Sequence, residues 1–226
     1  ATNSITAAMV GNDLISGKDA LGATPADTDE FLVSDAGTLK RVDYSYVKST
    51  AGLVKLQSQT ASGASNVTFT STYITNTYNI YQLHLTAIVI TADGHNMGFV
   101  VSPDNGSNYV TTGYKNIRQY SSQANSSNTI SSGHGGSDDQ VRVLGTGQGL
   151  GANGNESGNS IITLFSPLGS KSKQFRCNGS LINNEGNFCI QNLWFCLDQS
   201  ATYNNIKFQT SSGTISGTFT LYGVTK

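Results

Sequence analysis

ATYNNIKFQTSSGTISGTFTLYGV, residues 201–224, is the stretch of sequence that decides the fold. Apolar and polar side chains alternate twice in it, at Ile206 and Phe208 and again at Phe219 and Leu221, with Ser, Gly and Thr in between. A period of two is typical of a β-strand that buries one face, and small polar residues favour a turn. The stretch predicts two antiparallel strands, joined as a hairpin, that close a sheet.

The composition indicates an all-β protein. Of the 226 residues 12% are charged, against roughly 25% in an average globular protein, and Ser, Thr, Asn and 25 Gly replace the missing charge. Exposed helix faces are usually filled with Glu, Lys and Arg, whereas Ser, Thr and Asn suit strand surfaces and turns. Low charge also argues against a disordered chain, because disordered chains are typically highly charged.

Turn signals recur from Leu53 onward, and no segment shows a helical period. This pattern predicts one antiparallel β-sandwich, jelly-roll-like, over residues 53–226. The nearly continuous apolar run 187–198 predicts a central strand with Trp194 in the core. Two polar, Gly-rich segments, 123–139 and 145–160, predict long exposed loops, the first of them alternatively a hairpin.

Residues 1–52 form an N-terminal arm in this interpretation, used for attachment and oligomerisation. Within it the segment 30–48, EFLVSDAGTLKRVDYSYVK, predicts a β-hairpin that turns at Asp35–Gly37. An isolated hairpin is marginally stable in water, so we expect it to pack on another subunit or on the sandwich.

Several stretches resemble bacteriophage tail-fibre-like and other virion surface proteins. The segment 211–224, SSGTISGTFTLYGV, is similar to a family ending that reads close to SSGNIASGTFRLYGI, with one residue fewer before the second strand. DTDEFLVSDAGTLKRV, residues 27–42, is similar to a segment near the start of such fibre proteins, and SPDNGSNYVTTGY, residues 102–114, resembles an internal family motif. Apart from the segment 27–42, the resemblance extends from about Leu53 to Lys226.

The resemblance implies a non-enzymatic virion structural protein, assembled in the host cytoplasm and displayed on the virion surface as a homotrimer. Two roles stay open: a tail fibre or appendage with a receptor-binding or adaptor role, or a capsid decoration (cement or head fibre) protein. Its partners would be tail or major capsid proteins, with a host surface glycan as a candidate receptor. A free carbohydrate-binding module is a third class. The residues expected to attach the arm are Phe31, Leu32, Val33, Leu39, Val42 and Tyr44.

The candidate recognition residues lie in the two polar segments. They are His134, Asp138, Asp139, Gln148 and Asn153. Tyr109, Tyr114, Tyr120 and Trp194 are further candidates, because aromatic rings can stack on sugar faces. Against this, Tyr at strand positions usually packs half-buried, and the apolar neighbours of Trp194 favour the core.

No catalytic or cofactor motif emerges from the sequence. It contains no Gly-x-Ser-x-Gly segment and no carboxylate pair placed for glycoside cleavage. His134, Asp138 and Asp139 lack the spacing of a metal site within one chain, although three copies at a trimer axis could share an ion. We therefore expect no enzymatic activity, no cofactor and no metal site within one chain.

The charge balance argues against nucleic acid as a partner. Thirteen basic and 14 acidic residues give a net charge of −1, without the basic patch that nucleic-acid binding needs.

The sequence shows neither a signal peptide nor a run of about 18 apolar residues, so we expect no membrane insertion. Three cysteines, Cys177, Cys189 and Cys196, are predicted to be free thiols of a reducing compartment.

Overall fold

The computed structural model describes residues 19–48, 52–124, 127–145 and 149–225. The chain divides into two units, Ala1–Thr50 and Ala51–Lys226. Strands make up most of the second unit and form one hairpin in the first, and the only helix in the described ranges is the single turn Tyr44–Val47. None of the helices in this part of the chain is long and apolar enough to cross a membrane. The all-β antiparallel class that the sequence predicts is confirmed.

The first unit contains a β-hairpin of Glu30–Asp35 (β1) and Thr38–Asp43 (β2). Ala36 and Gly37 form its two-residue turn with φ of 49° and 84°, the left-handed values that a type I′ turn requires. The ladder ends at Asp43, and Tyr44–Val47 (α1) forms one helical turn closed by the Lys48 N–H on the Tyr44 carbonyl. The hairpin is thus shorter than the predicted 30–48, because the backbone of Tyr44 leaves the ladder.

The second unit contains two antiparallel sheets. Its strands are Leu53–Ala64 (β3), Asn66–Phe69 (β4), Ile80–Ile90 (β5), Met97–Ser102 (β6), Tyr114–Ala124 (β7), Ser127–Asp138 (β8), Val141–Leu144 (β9), Gly158–Phe165 (β10), Lys173–Ile182 (β11), Phe188–Leu197 (β12), Asn205–Thr210 (β13) and Ile215–Val224 (β14). The larger sheet has the order β3-β14-β5-β10-β11-β12-β7-β8, and the smaller has the order β4-β13-β6-β9.

The chain crosses repeatedly between the two sheets. Strands β3, β5, β10 and β14 belong to the larger sheet and alternate along the chain with β4, β6, β9 and β13 of the smaller one. This alternation is compatible with the jelly-roll-like order predicted from the sequence. Two hairpins, β7–β8 and β11–β12, widen the larger sheet beyond this pattern.

The hydrophobic core lies between the sheets and is rich in aromatic rings. Phe99 contacts Phe175 across the layers with ring centroids 5.5 Å apart, and Phe208 contacts Phe219 at 5.2 Å. Phe69 packs edge-on against Phe208. Aromatic pairs at such separations stabilise a fold beyond the area that they bury. The core therefore fixes how the sheets face each other.

The closing stretch does not form the predicted hairpin. β13 pairs with β4 and β6 in the smaller sheet, whereas β14 pairs with β3 and β5 in the larger one. The prediction was wrong because two alternating runs around a polar turn look alike whether the strands pair side by side or face each other across a core.

The first polar segment forms the hairpin that was the alternative to a loop. Residues 127–138 form β8, an edge strand of the larger sheet, because their backbone pairs with β7. The second polar segment is more regular than the predicted loop. In the segment 145–160, β10 begins at Gly158, and Leu150 is buried and bridges His95 and Asn183. The three cysteines are free, as predicted, with Cys177 and Cys189 buried and Cys196 half-buried.

Candidate functional site

The larger sheet has an outer face, turned away from the core, that is unusually rich in exposed apolar side chains. Strands expose alternate residues, so the core-facing Leu193 and Phe195 force Trp194 to the opposite side. Trp194 is 44% exposed, which corrects the prediction that it lies in the core. The run 187–198 looked continuously apolar only because Ile190 and Trp194 occupy outward positions.

Trp194 has a cation beside it. The β11–β12 register places Arg176 directly opposite Trp194, and the guanidinium carbon lies 5.1 Å from the centre of the indole ring. Stacking of this kind fixes an otherwise flexible side chain. Among the described residues no carboxylate lies within ion-pair distance of Arg176. On the other side of β12, Ile117 of β7 is opposite Trp194 and is also exposed.

A row of amides crosses the sheet beside this pair. Asn192, two residues before Trp194, is opposite Asn178 on β11 and Gln119 on β7. The Asn178 side-chain amide donates a hydrogen bond to the side-chain carbonyl of Asn192. This bond fixes both side chains. It leaves the side-chain oxygen of Asn178 available as an acceptor.

The row continues into a shallow depression of about 370 Å³ over β5, β10 and β11. Asn178 is opposite Ile161, which is opposite His84. The His84 ring packs on Tyr222 with centroids 4.7 Å apart, and burial lowers the pKa of His84. The lowered pKa favours the neutral imidazole at pH 7. The remaining side chains of the lining are hydroxyl and amide groups together with the apolar Leu85 and Ile161. The outward side chains at the depression are His84, Thr86, Asn159, Ile161, Asn178 and Ser180.

A second depression, of about 220 Å³, adjoins Trp194. Lys115, Gln174 and Cys196 contribute to its lining. The ammonium of Lys115 lies 2.9 Å from the Asp198 carboxylate, which raises the pKa of Lys115 and lowers that of Asp198. Lys115 is thus neutralised locally, whereas Arg176 is not.

We call this surface the Trp194 face and define it by Trp194, Arg176, Ile117, Gln119, Asn178, Asn192, Ile161 and His84. The eight strands that form the sheet carry five Lys or Arg residues and a single carboxylate, Asp138. The arrangement offers an aromatic surface, an unpaired cation and a set of amides, which suits binding of a polar ligand.

The predicted recognition residues relate to this face in different ways. His134 lies on β8 opposite Ile117, so it stands at the end of the Trp194 row and is exposed. Asp138 ends the same strand, and its carboxylate accepts a hydrogen bond from the Asn116 side chain at 2.6 Å. Asp139 is exposed beyond β8. His134 and Asp138 thus lie on a strand of the predicted hairpin alternative rather than in a loop, because backbone pairing carries the strand through Asp138.

The other predicted positions lie elsewhere. Asn153 is exposed in a turn before β10, where its N–H donates to the Glu156 carboxylate at 2.7 Å. Gln148 lies outside the described residues. Within the ranges that the structure describes, no group of three His, Cys, Asp or Glu side chains could hold a metal ion.

The tyrosines proposed for sugar stacking are not on the Trp194 face. Tyr114 is buried, its hydroxyl lies 3.1 Å from the Val101 N–H and 3.2 Å from the Val110 carbonyl, and burial raises its pKa. Tyr109 lies under the Lys207 ammonium, 4.0 Å from the ring centre, beside the smaller sheet. Tyr120 is half-buried and alternates with the outward-facing Gln119.

The predicted attachment residues lie on the β1–β2 hairpin. Phe31, Val33 and Val42 share one face, where Phe31 packs on Tyr44 with ring centroids 6.0 Å apart. Leu32 and Leu39 share the other face and are 74% and 69% exposed. The hairpin therefore presents apolar side chains on both faces.

No family model, no curated protein and no solved structure matches the chain in the comparisons made.

Proposed function

We propose that this chain is a non-enzymatic surface protein of a bacteriophage particle. Its N-terminal arm attaches it to the virion as a trimer, and its β-sandwich faces the cell as part of a tail fibre or appendage. The Trp194 face carries the receptor-binding half of this proposal. An indole 44% exposed beside an unpaired guanidinium and a row of amides is a binding surface rather than a neutral sheet exterior.

The arm supports the attachment half. Leu32 and Leu39 extend into solvent from a two-stranded sheet, which is marginally stable unless something covers it. Packing of the hairpin against other copies or against a virion protein would remove this apolar surface from water. The opposite placement of Phe31 and Leu32 allows both contacts at once, one on each face.

A head location is the alternative, because a hairpin of this kind would grip a capsid shell equally well. The chain would then be a decoration protein. A decoration protein would not need a ligand-binding surface such as the Trp194 face. We therefore favour the tail location.

The experiment is an adsorption competition together with a particle count. Purified full-length chain, added to host cells before the phage that carries it, should reduce adsorption in a dose-dependent way. Quantitative mass spectrometry of the purified particles should find tens of copies. Hundreds of copies together with unchanged adsorption would assign the chain to the head, and its absence from particles would refute both locations.

A further inference from the structure

We propose that the Trp194 face binds an oligosaccharide that carries a carboxylate, and that Arg176 pairs with that carboxylate. This inference rests on the proposed receptor-binding role and names the chemical class of the receptor. It also names two central residues: Arg176, which the sequence did not single out, and Trp194, which was a stacking candidate but was predicted to lie in the core.

Arg176 is the group that selects an acid. Its planar guanidinium presents five N–H donors in a fork that matches the two oxygens of a carboxylate. The indole of Trp194 holds the fork in place, 5.1 Å from its ring centre, so little side-chain entropy is lost when a ligand binds. No carboxylate of the described residues occupies the fork.

Trp194 and its neighbours supply the surface for a sugar ring. A pyranose has an apolar face of C–H groups that packs on an aromatic ring, and 44% of the Trp194 surface remains exposed although Arg176 lies beside it. Ile117 on the next strand is exposed and extends this apolar surface. Such a combination would suit a sugar ring better than a fully charged ligand such as a free phosphate.

The amide row supplies partners for sugar hydroxyls. Asn192 and Asn178 stand on adjacent strands, about 4.8 Å apart along the row, and lie two residues from Trp194 and Arg176, about 7 Å along each strand. Each amide both donates and accepts, as a hydroxyl does. Because the row leads into the depression at Ile161 and His84, a chain of two or three sugar units can follow it.

The charge of the sheet agrees with an anionic ligand. Its eight strands have one carboxylate, Asp138, which accepts a hydrogen bond from Asn116. Residues 1–50, by contrast, contain seven Asp or Glu and four Lys or Arg. Of the five cations of the sheet, Lys173 is buried and Lys115 is paired with Asp198, so Arg176 is the cation that the centre of the Trp194 face offers to an anion. An acidic peptide would use the same cation but gains little from an aromatic and amide surface, so we favour the sugar.

The experiment measures binding of purified full-length chain to matched ligand pairs by isothermal titration calorimetry. The probes are oligogalacturonate, oligoglucuronate and sialyl-lactose, each beside its carboxyl-reduced form, and a poly-glutamate peptide. We expect at least one acidic sugar to bind about fivefold or more tightly than its reduced form at low salt, with the difference shrinking as salt rises.

Two variants test whether the preference for acidic sugars arises at the Trp194 face. R176Q should abolish the preference for the acid over its reduced form. W194A should weaken the binding of both forms and reduce the preference in part, because it also removes the ring that holds Arg176. The control is K207Q, which removes a cation stacked on Tyr109 beside the other sheet and should leave every affinity unchanged. Thermal unfolding of each variant checks that the fold is kept.

The inference is overturned if no acidic sugar is preferred over its reduced form, if R176Q keeps the preference, or if poly-glutamate binds as tightly as the sugars. If the chain still blocks phage adsorption, these outcomes do not contradict the proposed function. Conversely, acid-selective binding by a chain that is absent from particles would refute the virion role and keep the inference.

Discussion

Phe208 and Phe219 lie with their ring centroids 5.2 Å apart, yet their strands, β13 and β14, belong to different sheets. The two residues are separated by one short turn in sequence and meet through the core rather than across a hydrogen-bonded ladder. Phe208 also contacts Phe99 and Phe69, so it links three strands of the smaller sheet to the larger one.

This central position predicts the effect of truncating Phe208. F208A should lower the free energy of unfolding by about 3–5 kcal/mol, because it removes a buried ring and leaves a cavity. Urea denaturation followed by fluorescence measures the loss. F188A is the matched control, since Phe188 is 49% exposed, and should cost about 1 kcal/mol or less. Equal losses in the two variants would contradict the role of Phe208.

Gly217 occupies a bulge that no other residue fits well. Its φ is 133°, and a Cβ there would lie 2.8 Å from the Ala87 carbonyl oxygen. G217A should therefore destabilise the fold by more than about 1 kcal/mol, through both strain and a backbone clash. G136A is the control, because a Cβ added at Gly136 on β8 would have no neighbouring atom within 4 Å. A G217A variant that melts with the wild type would show that the bulge relaxes freely.

Asp104 makes the loop after β6 sensitive to acid. Its carboxylate accepts hydrogen bonds from the Asn108 side chain, the Ser102 hydroxyl and the Asn108 N–H, which lower its pKa to about 2. Because the folded pKa is below the ordinary value of 3.8, the stabilisation is complete above that value and is lost as the pH falls towards 2.

D104N should accordingly show a smaller fall in melting temperature between about pH 5 and pH 2 than the wild type does. Differential scanning calorimetry across this range measures it. D139N, at an exposed carboxylate, serves as the control and should follow the wild type. Parallel pH curves for wild type and D104N would argue against the bonded carboxylate.

Leu32 and Leu39 predict how the chain assembles. The double variant L32S/L39S should convert the proposed trimer into monomers, because it removes the most exposed apolar side chains of the hairpin. Light scattering after gel filtration measures the mass, and R41Q on the same hairpin face should remain trimeric. A wild-type chain that is monomeric at micromolar concentration, or a double variant that stays trimeric, would refute the assembly proposal.

The sequence was informative where a local rule applied. The β-class followed from alternation, low charge and turn residues, and the hairpin turn at Ala36–Gly37 was predicted from its composition. The site was less accessible. Trp194 was placed in the core because its neighbours Leu193 and Phe195 are apolar, although strict alternation along β12 would have turned it outward. Arg176 gave no signal, since only the pairing of β11 with β12 brings it to the indole.

The sequence by itself determined what each segment can be: strands with one apolar side, turns at Gly and Asn, and a hairpin near the N-terminus that carries apolar residues. These properties depend on backbone geometry and side-chain chemistry within a few residues, which every short window contains. Only the tertiary structure decided which strands pair. It placed β13 and β14 in opposite sheets, drew residues 127–138 into the edge of the larger sheet, and aligned Ile117, Trp194 and Arg176 in one row. Pairing partners lie far apart in sequence, and the choice among them depends on burial and packing of the whole core, which no local pattern records.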